Sequence, residues 1–308
     1  MSDVVLLFSG QGAQKVGMGK DFHEASETAR SLFRQADEAL GFGLSETMFE
    51  GPDDQLTRTS RCQPALYLHG LVALALLKER LPNLKPVAAA GLSLGEFTAH
   101  AAAGTFSFED GLKTVALRGL FMEEACQATK GAMAALIGGE ESAAKALAAE
   151  CDVDVANYNA PGQIVLSGTE AGIDAAVEKA RDHGIRRVIK LNVAGAYHSR
   201  LMRSAQEKLA VELAGLALHP PRIPVVCNYG ASVVSQPGEV RNMLEKQVTG
   251  SVRWTESIHR LAEAGHRTFV ELGPGKVLAG LVAKIDKEAT VHSVEDLASL
   301  EAAVAALG

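Results

Sequence analysis

The chain of 308 residues carries 47% hydrophobic and 22% charged positions, with 30 glycines and 10 prolines. That composition excludes disordered, collagen-like and disulfide-scaffold proteins and leaves room for one large domain carrying a smaller one. With 30 Lys+Arg against 37 Asp+Glu, the formal net charge is -7, so the broad positive field favoured by nucleic acid or an anionic membrane is missing.

Val4-Val5-Leu6-Leu7-Phe8 reads as a buried strand running into the tight loop Ser9-Gly10-Gln11-Gly12. It follows an acidic start and is too short for a signal-peptide core, so no targeting segment is expected. Residues 19–40 and 63–80 read as helices, the second apolar on most faces. The longest apolar stretch, Leu66 to Leu77, is broken by His69 and Gly70 and falls short of the roughly 20 residues of a membrane span. Pro86 to Gly91 is a second short strand, followed by Leu92-Ser93-Leu94-Gly95-Glu96 and an alanine-rich helix to about Ala103. Phe108 to Met122 continues as a helix. Strands alternating with helices predict a parallel sheet covered on both faces.

The texture changes near residue 126. A strand at 131–137, a helix at 142–150, strands at 153–157 and 163–167 around a turn at 158–162, a helix from Thr169 to His183 and a strand at 187–193 make a β-α-β-β-α-β order. That is the split-βαβ, ferredoxin-like motif, and residues 127–194 read as an inserted subdomain between 1–126 and 195–308. Beyond it, 199–214 reads as a helix, 223–227 as a strand, 241–246 and 255–264 as helices, and 268–271 as a strand ending at Leu272-Gly273-Pro274-Gly275-Lys276. The four cysteines, Cys62, Cys126, Cys151 and Cys227, show no C-x-x-C pair and read as buried free thiols of a reducing, cytoplasmic compartment.

Gly91-Leu92-Ser93-Leu94-Gly95 fits G-x-S-x-G, with a strand before and a helix after. A sharp strand-to-helix turn projects the serine Oγ, and glycines at ±2 keep Cβ atoms out of the turn. The helix N-terminus offers N–H groups to a developing oxyanion. A nucleophilic serine needs a base. Of nine histidines, His23, His183, His259 and His266 read as solvated, whereas His198 sits between a strand and a helix, where it can enter a cleft. Gly10-Gln11-Gly12 fails the dinucleotide fingerprint, since Lys15 stands where its third glycine belongs, and Gly275-Lys276-Val277 fails the P-loop. The loop around Gln11 is either a plain strand-end turn or backbone approaching a ligand. Arg118, in an apolar helical stretch, is half of a structural salt bridge, a snorkelling side chain at the helix edge, or a clamp for a substrate carboxylate.

Taken together, the blocks Phe8 to Gln14, Gly91 to Glu96, Leu117-Arg118-Gly119, Asn159 to Gln163, Gly195 to Ser199, Gln247-Val248-Thr249 with Trp254, and Glu271 to Leu278 resemble the malonyl-CoA:acyl-carrier-protein transacylases of type II fatty-acid synthesis. The resemblance covers most of the chain. It implies an α/β-hydrolase-like parallel-sheet domain with an inserted ferredoxin-like subdomain. It makes Ser93 the acylated nucleophile, His198 its base, and the Gln247 main-chain carbonyl the group orienting that base. By the same resemblance the Gln11 and Leu94 N–H groups form the oxyanion hole, Arg118 pairs with the malonyl carboxylate and Asn159 is a binding contact. It implies malonyl-CoA and a holo acyl carrier protein as partners, no metal or other cofactor, and a monomer.

Departures from the commonest pattern are Leu92 before the serine, Ser9 for proline, Gly250-Ser251 for Ser-Pro, and Tyr197 for phenylalanine. The Tyr197 ring is expected to crowd an α-methyl substituent. Arg186, Arg187, Lys190, Lys276 and Lys284 are candidate contacts for an acidic carrier. Three rivals remain: an esterase-type hydrolase using Asp110, Asp152 or Asp154 as its acid, a nucleotide-binding or structural α/β domain, and a polyketide-pathway acyltransferase.

Overall fold

A computed structural model describes residues 3–308. Nine strands appear in chain order: β1 Asp3–Phe8, β2 Lys85–Gly91, β3 Gly131–Ile137, β4 Asp154–Ala160, β5 Gln163–Thr169, β6 Arg187–Lys190, β7 Val225–Val226, β8 Thr268–Leu272 and β9 Thr290–Val294. They form two sheets. The larger has the order β7-β2-β1-β8-β9 and every pairing in it is parallel.

Side chains of β1 alternate between two separate apolar cores, Val4, Leu6 and Phe8 on one face and Val5 and Leu7 on the other. The period of two therefore sandwiches the sheet between helical layers. The apolar helix Thr59–Arg80 fills one layer, and the helix Trp254–Glu263 lies in the other, where Trp254 is fully buried. Phe8 pairs with both Gly91 and Leu272, so β1, β2 and β8 end level. Their carboxyl ends, where parallel sheets bind ligands, thus converge at one edge.

The smaller sheet has the order β4-β5-β3-β6 and is antiparallel throughout. With the helices Glu141–Glu150 and Glu170–Lys179 it reproduces the ferredoxin-like order read from the sequence. Ala134 and Leu136 face those helices, while Met133 and Ala135 turn toward the main core. After Gln247 the chain returns to the outer edge of this sheet. Val252 N–H donates to Ala156 O (2.8 Å) and Val252 O accepts from Tyr158 N–H (2.9 Å).

Several boundaries moved. The helix expected over 19–40 is two, Lys20–Ala25 and Glu27–Leu40, because the Ser26 side chain accepts the Ala29 N–H and restarts the helix as an N-cap. The helix expected from 63 begins at Thr59. The turn expected over 158–162 shrinks to Pro161-Gly162, and the strand expected over 187–193 ends at Lys190. Thr169 does cap its helix, accepting from Gly172 N–H, but that helix stops at Lys179. The strand expected over 223–227 pairs only at Val225–Val226. The helices Leu44–Glu50, Val277–Ile285 and Leu297–Leu307, and strand β9, were not anticipated. All four cysteines are free and buried, and no described helix is long and apolar enough to cross a membrane.

Candidate active site

Strand β2 delivers Gly91 to a turn in which Ser93 takes φ 56° and ψ -112° immediately before the helix Leu94–Ala102. Positive φ strains a serine. A Cβ on Gly91 would meet Gly95 O at 2.0 Å, and one on Gly95 would meet Phe8 O at 2.3 Å. Only glycine lets the helix start this close to the strands. Asn228, at the carboxyl end of β7, braces the turn: its Oδ1 accepts from Ser93 N–H (2.6 Å) and its Nδ2 donates to Gly91 O (2.8 Å).

His198 reaches the serine across 105 residues of chain, with Nε2 2.8 Å from Ser93 Oγ. It too has positive φ, 53°. Its Nδ1 lies 2.8 Å from the main-chain carbonyl of Gln247, so Nδ1 carries the proton and Nε2 presents a lone pair to the hydroxyl. The acids that a hydrolase triad would use are engaged elsewhere. Asp152 and Asp154 bind Arg200, and Asp110 binds Ser107. Burial, and secondarily the nearby Arg118 cation, push the His198 imidazole down to about 4 against the pull of the Gln247 carbonyl. The ring is therefore a neutral proton acceptor at neutral pH.

Arg118, 1% exposed, is not half of a salt bridge. Nη1 donates to Gln63 Oε1 (2.7 Å), and Nη2 donates to Gln247 Oε1 (2.8 Å) and to Ser93 Oγ (3.1 Å). Nε has no partner among the described residues. Its hydrogen bonds all go to neutral oxygens, and the buried Glu96 carboxyl acts on it only through space, so the cation can still take an anion as a direct partner. The same burial lowers its pKa to about 10, leaving it charged at neutral pH.

In front of Ser93 lies a cavity of about 400 Å³, lined among others by Gln11, Leu92, Asn159, Met133, Tyr197 and His198. Leu94 follows the nucleophile as the first helical residue, and neither its N–H nor that of Gln11 donates a hydrogen bond within the described residues. Asn159 Oδ1 is buried without a partner among the described residues. The Tyr197 hydroxyl is 2.7 Å from Thr59 Oγ1, fixing the ring at the wall. All seven residues singled out from the sequence therefore gather around one cleft edge, Arg118 just behind its wall.

Elsewhere the histidines differ from expectation. Of the four that read as solvated, His259 is exposed, whereas His23, His183 and His266 are half-buried. His23 packs against Phe33 and Phe49, and His183 pairs with Glu150. Gln63, Glu96 and Asn228 escaped the sequence reading. The one signal available was for Asn228, a polar residue ending a parallel strand.

A serine whose Oγ meets a neutral imidazole, beside unengaged N–H groups and a buried cation, is the equipment of an acyl-transferring enzyme. Residues 5–304 match the acyl transferase domain family, and the chain belongs to that family. It is 41% identical over 312 residues to the malonyl CoA-acyl carrier protein transacylase of Bacillus subtilis, across 100% of this chain and 98% of that protein. Its similarity to the protein of that name from Haemophilus influenzae is 36%, covering 98% of each. Among solved structures, an acyl carrier protein S-malonyltransferase from Vibrio cholerae superposes with a TM-score of 0.94 at 35% identity, over 98% of this chain and 100% of the other. A malonyl-transacylase in complex with a type II PKS acyl-carrier protein superposes with a TM-score of 0.94 at 33% identity, over 99% and 100%.

Proposed function

We propose that the chain transfers malonyl from malonyl-CoA to the phosphopantetheine thiol of an acyl carrier protein, supplying extender units for fatty-acid synthesis. The observation that carries this reading is the Arg118 guanidinium, buried against neutral amides and touching the nucleophile. A malonyl thioester supplies a carboxylate of matching charge at one end and a reactive carbonyl at the other. An acetyl thioester leaves the cation unpaired, which is the basis of selection.

In the first half-reaction Ser93 Oγ attacks the thioester carbon while its proton passes to His198 Nε2. The oxyanion is taken by the Gln11 and Leu94 N–H groups. Collapse breaks the C–S bond, His198 returns the proton to the departing thiolate, and CoA leaves a malonyl-Ser93 ester. In the second half-reaction His198 takes the proton of the carrier thiol, sulfur attacks the ester and the serine regains its proton. The Gln247 carbonyl keeps His198 in the required tautomer, as a triad acid would. Asn159 is a substrate contact, its free Oδ1 suiting an amide N–H donor of the pantetheine arm.

Residues 127–194 act as the inserted subdomain that walls the cleft, and 1–126 with 195–308 as the catalytic domain; the separate core of the small sheet supports that division. Arg186, Arg187, Lys190, Lys276 and Lys284 are all exposed and available to an acidic carrier, Lys190 beside Asp174. The buried free thiols suit a reducing compartment such as the cytoplasm, and the family resemblance suits a monomer.

Intact mass after mixing with malonyl-CoA, beside a Ser93→Ala control, tests the reading. A malonyl increment on wild type alone, absent with acetyl-CoA and discharged by holo carrier protein, is the expected result. CoA release without a lasting adduct would instead establish a hydrolase.

A further inference from the structure

Glu96 stands three residues after the nucleophile and is fully buried. Its Oε2 accepts two hydrogen bonds, from Asn228 N–H at 2.9 Å and from Gln247 Nε2 at 2.6 Å. Those two partners hold the rest of the site. Asn228 clasps Ser93 N–H and Gly91 O. Gln247 donates through the same Nε2 to Ser93 O (2.9 Å), accepts Arg118 Nη2 on Oε1 and accepts His198 Nδ1 on its main-chain oxygen.

A primary amide has two ends of similar shape and opposite polarity, so its orientation is set by what faces each end. Arg118 demands the oxygen of Gln247, while Glu96 and Ser93 O demand the NH2. Resting on the reading that Ser93, His198 and Arg118 perform acyl transfer, we propose that Glu96 is a positioning residue. Its single carboxylate oxygen locks the Gln247 amide and Asn228, and through them keeps nucleophile, base and carboxylate clamp in register.

The role needs an acceptor at that point and not a charge. Burial pushes the Glu96 carboxyl up to about 7, so part of the population is protonated near neutrality while its carbonyl oxygen still accepts. The other carboxylate oxygen, Oε1, is buried without a hydrogen-bond partner among the described residues, with a ring nitrogen of His100 and Cys227 Sγ within 4.8 Å of a carboxylate oxygen and of each other, so no second ligand depends on the charge. A buried carboxylate is costly to desolvate, and a nearly isosteric amide offers the same acceptor without that cost.

The test measures kcat and KM for malonyl-CoA in Glu96→Gln, Glu96→Ala, Asn228→Ala and Ser93→Ala proteins. Glu96→Ala, which frees both branches, is expected to lower kcat about 10²-fold, the scale of a misplacement near 1 Å, and to raise KM. Glu96→Gln is expected within about fivefold of wild type, since roughly 1 kcal/mol of altered hydrogen bonding is a fewfold in rate. Asn228→Ala, touching only the elbow branch, should lower kcat with KM unchanged. Wild-type rates in Glu96→Ala, or a Glu96→Gln enzyme as slow as Glu96→Ala, would overturn the proposal. Should Glu96→Ala not fold, a Glu96→Gln enzyme slower than Asn228→Ala overturns it equally. Turnover by Ser93→Ala would instead remove the serine reading beneath it.

Discussion

Replacing Arg118 by methionine keeps much of the side-chain volume and removes only the guanidinium. On the proposed reading the wild-type cation faces the malonyl carboxylate, at a site where Arg118 is 1% exposed. Taking away one half of such a buried pair costs about 3–5 kcal/mol. At about 1.4 kcal/mol per decade, kcat/KM for malonyl-CoA should fall by about 10²- to 4 × 10³-fold. Acetyl-CoA has no carboxylate to lose, so it forfeits only the contacts of Nη2 with Ser93 Oγ and Gln247 Oε1, about 1–2 kcal/mol. The preference for malonyl over acetyl should therefore drop by roughly 10²-fold. CoA release from each thioester, with the holo carrier protein as acceptor, reads the ratio. Methionine removes a desolvated charge but leaves the buried Gln63 and Gln247 oxygens without their donor, so thermal unfolding is recorded beside the rates as the control for folding. Equal losses on both thioesters with an intact melting transition would refute the clamp.

Further outcomes follow from the same geometry. His198 is lowered to about 4 and works unprotonated, so kcat/KM for Ser93 acylation should hold constant down to about pH 5 and fall as pH drops through about 4. An acid limb near the ordinary imidazole value of about 6.5 would contradict it. Gly95→Ala drives a Cβ to within 2.3 Å of Phe8 O and should cost about 3 kcal/mol or more, seen as a lowered denaturant midpoint and lost acylation; an unchanged midpoint would refute the close-approach argument. Tyr197, tied to Thr59 at the cavity wall, should disfavour methylmalonyl-CoA by about 10- to 100-fold, the worth of one misfitting methyl. Equal turnover of the two thioesters would sink that selection.

What could be read in advance depended on whether a requirement was local. Gly91, Ser93 and Gly95 were legible because a strand-to-helix elbow imposes its glycines within five residues. The β-α-β-β-α-β order was legible because each element carries its own period. Gln247 was different: it meets His198 through a main-chain carbonyl, which every residue type possesses, so its side chain announced nothing and only the family resemblance pointed to it. Glu96 drew no role from the sequence, since its partners Asn228 and Gln247 lie 132 and 151 residues away. Arg118 was left between salt bridge and clamp because two glutamine oxygens, not a carboxylate, receive it. Strand β7 was overlong in the reading since a two-residue pairing leaves almost no periodic signal.

The return of the chain to the small sheet bears on how substrates come and go. Only four residues separate Gln247, whose carbonyl holds His198, from Val252, whose N–H and C=O are bonded into strand β4. Strand β4 also carries Asn159 on the cavity wall. The two walls of the cleft are thus stitched by backbone on the catalytic side, and its gape is set like that of a slot rather than a jaw. A long flexible arm suits such an opening: the pantetheine of CoA and that of the carrier can thread in and withdraw in turn, while the protein keeps its shape around the ester left behind.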